Sequence, residues 1–302
     1  MKTHTVTRSR GEFLWVQGAV GVLALGYAVA AEMHLQWLWL SLAVNAVAVA
    51  FLVEGYLHRY VTHNAYRIRP AVEKVLALLS TVVPGTGSPA DWAAVHRAHH
   101  KYSDTELDPH SNLYTGFFKQ LTFQYPNTGQ IKASRKLMHS RHHLWMHKYY
   151  VLFVSGWAAL IAAVFGVYGL VFGVLIPWLM FAITSTVQSY FLHYNLPGSY
   201  RSHNTSENSQ NSWVCHLLGY GATGWHNNHH ARPGRWNPSD KWWEFDTAAW
   251  FIRLIKTNKN TLNPQGESHG NTLHRYRCCF GFRWRLLAHP VYVRQPTFWQ
   301  KR

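Results

Sequence analysis

The sequence predicts an all-α membrane protein: four transmembrane helices with a cytoplasmic helical cap that carries its histidines. Three observations lead there. Apolar residues make up 48% of the chain and gather into long runs instead of spreading evenly. The 29 lysines and arginines, against 13 aspartates and glutamates, fall outside those runs. Histidines recur in sets at metal-ligand spacing in the polar stretches between and after the runs.

The 302 residues are read as a single integral membrane domain, 1–302. Residues 1–10 are polar and basic. The first span is placed at about 13–31, close to the ~20 apolar residues that cross a bilayer. It has no cleavage site leading into a soluble domain, so a signal peptide is the poorer reading. Glu32, Met33 and His34 alone separate it from the second span, 35–56, and so short a link requires an antiparallel hairpin. Residues 71–84 are apolar but too short to span, and suit an interfacial or re-entrant helix closed by Pro84-Gly-Thr-Gly87. A helix is expected over 91–100, capped by Ser88 or Asp91. Residues 102–147 are polar, basic and turn-rich, and are expected to form a surface-lying linker.

The third and fourth spans, 150–165 and 168–191, are divided by little more than Gly166, which again requires a hairpin. Pro177 is expected to kink the fourth. The cap comprises 57–149 and 192–302. Because Lys and Arg lie outside both hairpin turns, both termini and all histidine sets are expected on the cytoplasmic side, at a bacterial inner membrane. The formal charge of +16 favours anionic lipid or a phosphate-bearing substrate. Nucleic acid is not expected as a partner, since the charge is scattered and no nucleic-acid motif occurs. Cys215, Cys278 and Cys279 match no zinc spacing, and the odd total argues against a disulfide framework.

His226, His229 and His230 stand at i, i+3 and i+4, which on a helix places all three imidazoles on one face. His96, His99 and His100 repeat that spacing, and His58 and His63 form a looser pair. One such histidine is explained as a core or solvated side chain; three sets are not. With His193 at the end of the fourth span, about nine imidazoles converge just outside the bilayer. That is enough for two metal ions, and an open all-nitrogen shell suits iron that binds dioxygen better than closed structural zinc. A site opening onto hydrocarbon implies a hydrophobic substrate. His139, His142 and His143 also read H-x-x-H-H, but they lie in a basic run before the third span and are read as a surface helix on anionic lipid.

The stretches His58-Arg-Tyr-Val-Thr-His63, His96-Arg-Ala-His-His-Lys-Tyr-Ser-Asp-Thr-Glu-Leu-Asp-Pro-His110 and Gly224-Trp-His-Asn-Asn-His-His230 resemble the membrane-bound fatty acyl desaturases, in particular their acyl-CoA branch. Lys241-Trp-Trp-Glu-Phe-Asp246 is similar as well, and the likeness covers residues ~50 to 255. The resemblance implies a di-iron enzyme, an oxidoreductase that consumes dioxygen and inserts a cis double bond into a saturated acyl chain carried as acyl-CoA or acyl-lipid. It implies His58, His63, His96, His99, His100, His193, His226, His229 and His230 as ligands of two iron ions. An external electron donor of the ferredoxin, rubredoxin or cytochrome b5 type is implied as partner.

Three departures stand out. Ser189 occupies the place of the family's asparagine, which holds one iron through water, and on a helix it shares the face of His193. Ala222-Thr-Gly224 replaces Gly-Glu-Gly, and Gly116-Phe-Phe-Lys-Gln-Leu lacks the usual His-x-Gly-Trp continuation. Ser189 is therefore expected to hold the water in the asparagine's place. Asp108, Asn112, Trp225 and Arg232 are expected at the substrate, with hydrogen bonds to the N–H groups of the histidines the other role open to Asp104, Asp108 and Asn112. A membrane hydroxylase of alkanes, sterols or carotenoids is the rival enzyme. A metal transporter is the rival of another class, though transporters hold their polar ligands at the bilayer midplane.

Overall fold

A computed structural model describes residues 7–122 and 137–257, with side chains from Val16 onward. The far N-terminal residues, the C-terminal tail with Cys278 and Cys279, and part of the basic run before the third apolar run lie outside these residues. Among the described residues all regular structure is helical, with only isolated bridges pairing Asn211 with Tyr200 and Trp225.

Helix α1 (Thr7–Ala30) ends at Glu32, whose positive φ of 51° turns the chain. After a short 3-10 turn, α2 (Leu38–Val47) runs without a break into a widened, π-type stretch, Ala48–Thr62. The apolar run expected to stop at 56 is thus helical to the edge of the first histidine pair. The widening has a direct consequence. In an α-helix, residues five apart point about 140° away from each other. An i→i+5 turn stacks them, and the His63 N–H donates to the His58 carbonyl at 3.2 Å.

Helix α3 (Pro70–Val82) and α4 (Pro89–Tyr102) follow, the first beginning with proline at its first turn. The start of α4 is held by a capping box in which the Ser88 hydroxyl accepts from the Asp91 N–H and the Asp91 carboxylate accepts from the Ser88 N–H. Both expected caps therefore serve. The stretch 102–147 departs from a surface linker. It contains α5 (Phe117–Leu121) and α6 (Arg141–Lys148), and buries Asp108, Ser111, Asn112, Gln120, His143 and Met146. Among its described residues Asp108, Asn112 and Gln120 are bonded inside the protein, so that part resembles a solvated loop in composition but not in structure.

Helix α7 (Tyr150–Leu170) is interrupted at Gly166, whose φ of 65° and ψ of −162° suit glycine alone. The chain reverses there, because Tyr150 and Val154 pack in one cluster with Val174 and Trp178. A widened turn, Val171–Leu175, then leads into α8 (Ile176–Phe191). Pro177 sits in the first turn of α8, where its missing N–H removes no bond that an ordinary helix would make. The kink expected at Pro177 has a widened turn just ahead of it, at Val171–Leu175. Ala24, Ala28 and Met33 pack against Val171, Phe172 and Ile176, and the Ser41 hydroxyl donates to the Phe172 carbonyl at 2.6 Å.

Two helical stretches, Leu35–Thr62 and Tyr150–Phe191, are long and apolar enough to cross a membrane, and Val16–Ala30 is a shorter apolar helix. Their outer faces carry Leu23, Trp39, Leu152 and Phe165, all exposed. So many large exposed apolar side chains on long helices mark a surface made for lipid. Of the remaining helices, α11 (Thr247–Ile255) packs on the π-type stretch through Ile252, α10 (His226–Ala231) sets His229 against His58, and α9 (Trp213–Leu218) lies by α8, where Gln188 donates to the Cys215 carbonyl.

Candidate metal centre

Each histidine set is positioned by a different kind of element: a widened helix end, a capped α-helix, the end of α8, and a six-residue helix. That last helix, α10, is too short to stand alone. The two asparagines within its motif fix it. Asn227 accepts from the Ser202 and His203 N–H groups at 2.9 and 2.8 Å. Asn228 accepts from Asn211 at 2.7 Å and donates to Glu244 at 2.9 Å. Both asparagines are buried.

The nine expected ligand histidines come together, and they divide into two groups. His58, His63, His96, His100 and His229 form one; His99, His193, His226 and His230 form the other. Within each group the candidate ligand atoms lie within 4.8 Å of one another. Each H-x-x-H-H set therefore serves both groups. It gives its i, i+4 pair to one and its middle histidine to the other. Helix geometry is the cause: residues i and i+4 point about 40° apart, while i+3 points about 100° from i+4. One face of a helix thus presents two ligand directions, a refinement of the single direction expected from spacing.

The fit to metal rests on nitrogen spacing and on what holds the far side of each ring. The Nε2 atoms of His58 and His229 are 2.8 Å apart, those of His96 and His100 3.0 Å, and those of His100 and His229 3.0 Å. In the second group, His193 and His226 stand 2.9 Å apart. Two nitrogens bound about 2.1 Å from one ion at right angles stand about 3.0 Å apart. Behind four rings stand carboxylates that face the Nδ1–H as acceptors. Glu54 sits 2.6 Å from His58, Asp108 3.0 Å from His99, Asp104 3.1 Å from His193 and Glu207 3.4 Å from His230. With Nδ1 protonated, Nε2 carries the lone pair that a metal needs.

Burial first, and neighbouring imidazoles second, push His63, His96, His99, His100, His226, His229 and His230 well below the ordinary histidine range. The rings are held neutral, which is the ligating form. Donor type, tautomer and spacing all suit two transition-metal ions.

The remaining expected site residues have protein partners. Ser189 lies one turn before His193, and its hydroxyl donates to Gln120 Oε1 at 2.9 Å. Asp108 is 1% exposed and receives His99; the Asn112 amide donates to the His193 carbonyl at 2.7 Å. Of the two roles open to these residues, a substrate contact or a histidine contact, their bonds show the second, to His99 and His193. Trp225, expected at the substrate, is 1% exposed, stacks on His216 and donates to the Phe245 carbonyl at 2.7 Å. Arg232 pairs with Asp240 and stands 3.1 Å from His203. Thr223, in place of the family's glutamate, donates to Gln188 at 2.7 Å.

Sequence reasoning left Glu54, Glu207, Asn227 and Asn228 without roles. For Glu54 a signal was present, four residues ahead of His58 on one helix face. For Glu207 there was none. The H-x-x-H-H set of α6 does not join the nine: His139 is exposed, while His142 and His143 face Glu73 of α3. The expected lipid-facing surface is corrected for His143, which is 1% exposed.

Nine histidines in two groups, on a framework whose described regular structure is all helical, form a candidate metal centre of the histidine-box type. A sequence model of the fatty acid desaturase family matches residues 33–253, and the chain belongs to that family. It is 28% identical over 225 residues to an acyl-CoA C20 Delta5-desaturase of Anemone leveillei, covering 72% of this chain and 70% of that protein. It is likewise 28% identical over 261 residues to an sn-2 palmitoyl-lipid 9-desaturase of Nostoc sp. (strain 36), covering 82% and 85%. A chloroplastic palmitoyl-monogalactosyldiacylglycerol delta-7 desaturase of Arabidopsis thaliana matches at 28% over 278 residues, 85% and 72% of the two chains.

Proposed function

We propose that this protein is an oxygen-dependent fatty acyl desaturase that inserts a cis double bond into a saturated acyl chain at a di-iron centre. One observation carries the reading: nine histidines in two groups, their far nitrogens held by Glu54, Asp104, Asp108 and Glu207, in a chain of the desaturase family. Bound iron supplies the activation of dioxygen and the capacity to take hydrogen from an unactivated methylene.

The chain's own residues do the positioning. The π-type stretch turns His58 and His63 to one side, and the carboxylates fix each tautomer so that no ring must reorient on binding. Burial keeps the rings unprotonated. Ser189, its proton given to Gln120, retains hydroxyl lone pairs that accept from a water at the four-histidine group. The relatives act on acyl-CoA and on lipid-linked acyl chains, and the proposed substrate is a fatty acyl chain in one of these forms. Electrons come from an external donor of the ferredoxin, rubredoxin or cytochrome b5 type.

In the proposed topology α1, α2 and the two hairpin halves around Gly166 are four membrane spans. Their exposed apolar faces support it. Both termini and the cap then share the cytoplasmic side of a bacterial inner membrane, as the distribution of Lys and Arg favours.

The test is fatty-acid profiling by mass spectrometry after expression in a host that makes no unsaturated fatty acids. A new monounsaturated chain, absent with His229→Ala, is the expected outcome. A hydroxylated product would move the reading to the hydroxylases.

A further inference from the structure

The structure assigns a third metal site to this chain, at Glu73, His142 and His143: we propose that it binds a divalent cation of the zinc class. It shares no residue with the nine-histidine centre. The three side chains come from two elements, Glu73 from α3 and the histidines from α6, and their candidate ligand atoms lie within 4.8 Å of one another. The Nε2 atoms of His143 and His142 face the same carboxylate oxygen, Glu73 Oε1, at 3.4 and 3.8 Å. Two ligands bound about 2.0 Å from a tetrahedral ion stand about 3.3 Å apart, so a small contraction closes the set.

The orientation of His142 is the strongest argument. Its Nδ1 lies 2.7 Å from the Ser140 hydroxyl, which holds the ring in place. With the proton on Nδ1 and donated to Ser140, Nε2 presents a lone pair toward a carboxylate. That Nε2 is buried and has no hydrogen-bond partner. Two lone-pair atoms facing each other repel, and a cation between them turns the repulsion into two bonds. A polar group behind the ring likewise stands at four histidines of the nine-histidine centre, His58, His99, His193 and His230.

Glu73 lies within ion-pair range of both rings, 3.4 Å from His143 and 3.8 Å from His142, but the longer contact leaves the buried His142 nitrogen without a hydrogen bond. The site is also reachable, since the Glu73 and His142 side chains are each about a quarter exposed, at 25% and 24%. Three protein ligands of the two-imidazole, one-carboxylate kind leave a fourth position for water, a set that zinc accepts. The charge of nearby Lys74 opposes a cation, so the three coordinate bonds must outweigh that repulsion. Bound there, the ion would fasten α6, which leads into the second long apolar stretch, to α3. Tyr60, between His58 and His63, hydrogen-bonds to Glu73 and extends that link to the first histidine pair.

The test uses the full chain in detergent, loaded with iron, equilibrated with zinc and desalted. Zinc and iron per chain are counted by mass spectrometry for wild type, His142→Ala and Glu73→Gln. The expected result is one zinc per wild-type chain, with zinc held at least about tenfold more weakly by either variant and iron unchanged in all three. His142 is partly exposed, so its truncation leaves the fold intact, and equal elution volumes on size exclusion check this. Equal zinc in all three proteins, no zinc in wild type, or one iron lost for each zinc gained would each overturn the site. The iron count separates this outcome from failure of the desaturase reading, which concerns the other histidines.

Discussion

Arg59 and Asp246, 187 residues apart in sequence, meet in a two-pronged ion pair with both nitrogen–oxygen distances at 2.8 Å. Both side chains are almost fully buried. Arg59 follows His58 of the five-histidine group, and also donates to the carbonyls of Ala222 and Trp236 on either side of the last histidine set. Asp246 in turn caps α11 by accepting from the Ala249 N–H. The pair therefore ties the helix of the first histidine pair to the cap that presents the last triplet.

Removing one member leaves a buried charge without its partner. Asp246→Ala is expected to lower stability by about 3–5 kcal/mol. Because the pair aligns His58 with His229, the variant should also retain less metal at a temperature where it remains folded. Thermal unfolding and metal counting on the same sample check both effects. A change under about 1 kcal/mol would show that the pair is exposed to water in solution.

Gly166 offers a cleaner backbone test. A Cβ built there meets nothing within 4 Å, so Gly166→Ala creates no clash. The cost is conformational alone, from a φ of 65° with ψ near −162°, and is expected at about 1–3 kcal/mol. Gly156, where a Cβ also meets nothing within 4 Å but φ is ordinary, serves as the control. Gly156→Ala should be neutral or slightly stabilising, given alanine's higher helix propensity.

His216 gives the pH dependence. Its ring is buried, stacks on Trp225 with centroids 4.2 Å apart, and is pushed by burial from 6.5 to about 4. The unfolded chain therefore takes up a proton near pH 6.5 that the folded chain refuses until about pH 4. Stability contributed by the neutral ring is complete above pH 6.5 and declines as pH falls through that window, by about 3 kcal/mol at its foot. His216→Phe should flatten this part of the stability curve. The seven ligand histidines with lowered affinity for protons act in the same direction and make the whole metal-free protein acid-sensitive. An unchanged curve for His216→Phe would place the titration elsewhere.

Much of this architecture was legible in the sequence, and the parts that were not share a cause. The hairpin at Gly166, the Ser88–Asp91 cap and the nine histidines follow from local spacing, which a chain displays openly. The widened stretch over Ala48–Thr62 does not, since its residues read as an ordinary apolar helix; only the five-residue interval of His58 and His63 points to it. Asp104, Asp108 and Gln120 look like solvated turn residues because their partners, His193, His99 and the His110 carbonyl, are fixed by tertiary structure. His142 and His143 have the spacing of a true set. What separates them from the nine is the element they face, and spacing carries no information about that.

The division of each triplet between two groups yields the last prediction. His96 and His99 lie three residues apart on α4, both among imidazoles, yet they belong to different groups. His96→Ala should weaken the five-histidine group, which keeps His58, His63, His100 and His229. His99→Ala should leave His193, His226 and His230 alone, three ligands where four stood. If metal is held by these two groups, the four-ligand group suffers more from a single loss. The expected order of metal retention is wild type, then His96→Ala, then His99→Ala, with the last close to one ion per chain. His226→Ala, from the other triplet but the same group, should match His99→Ala, and His229→Ala should match His96→Ala. His142→Ala should hold as much iron as wild type. Metal analysis of the five variants under one set of conditions decides between this pairing and the simpler one, in which each triplet serves its own ion. In that alternative His96→Ala and His99→Ala would behave alike, and His226→Ala would resemble His229→Ala.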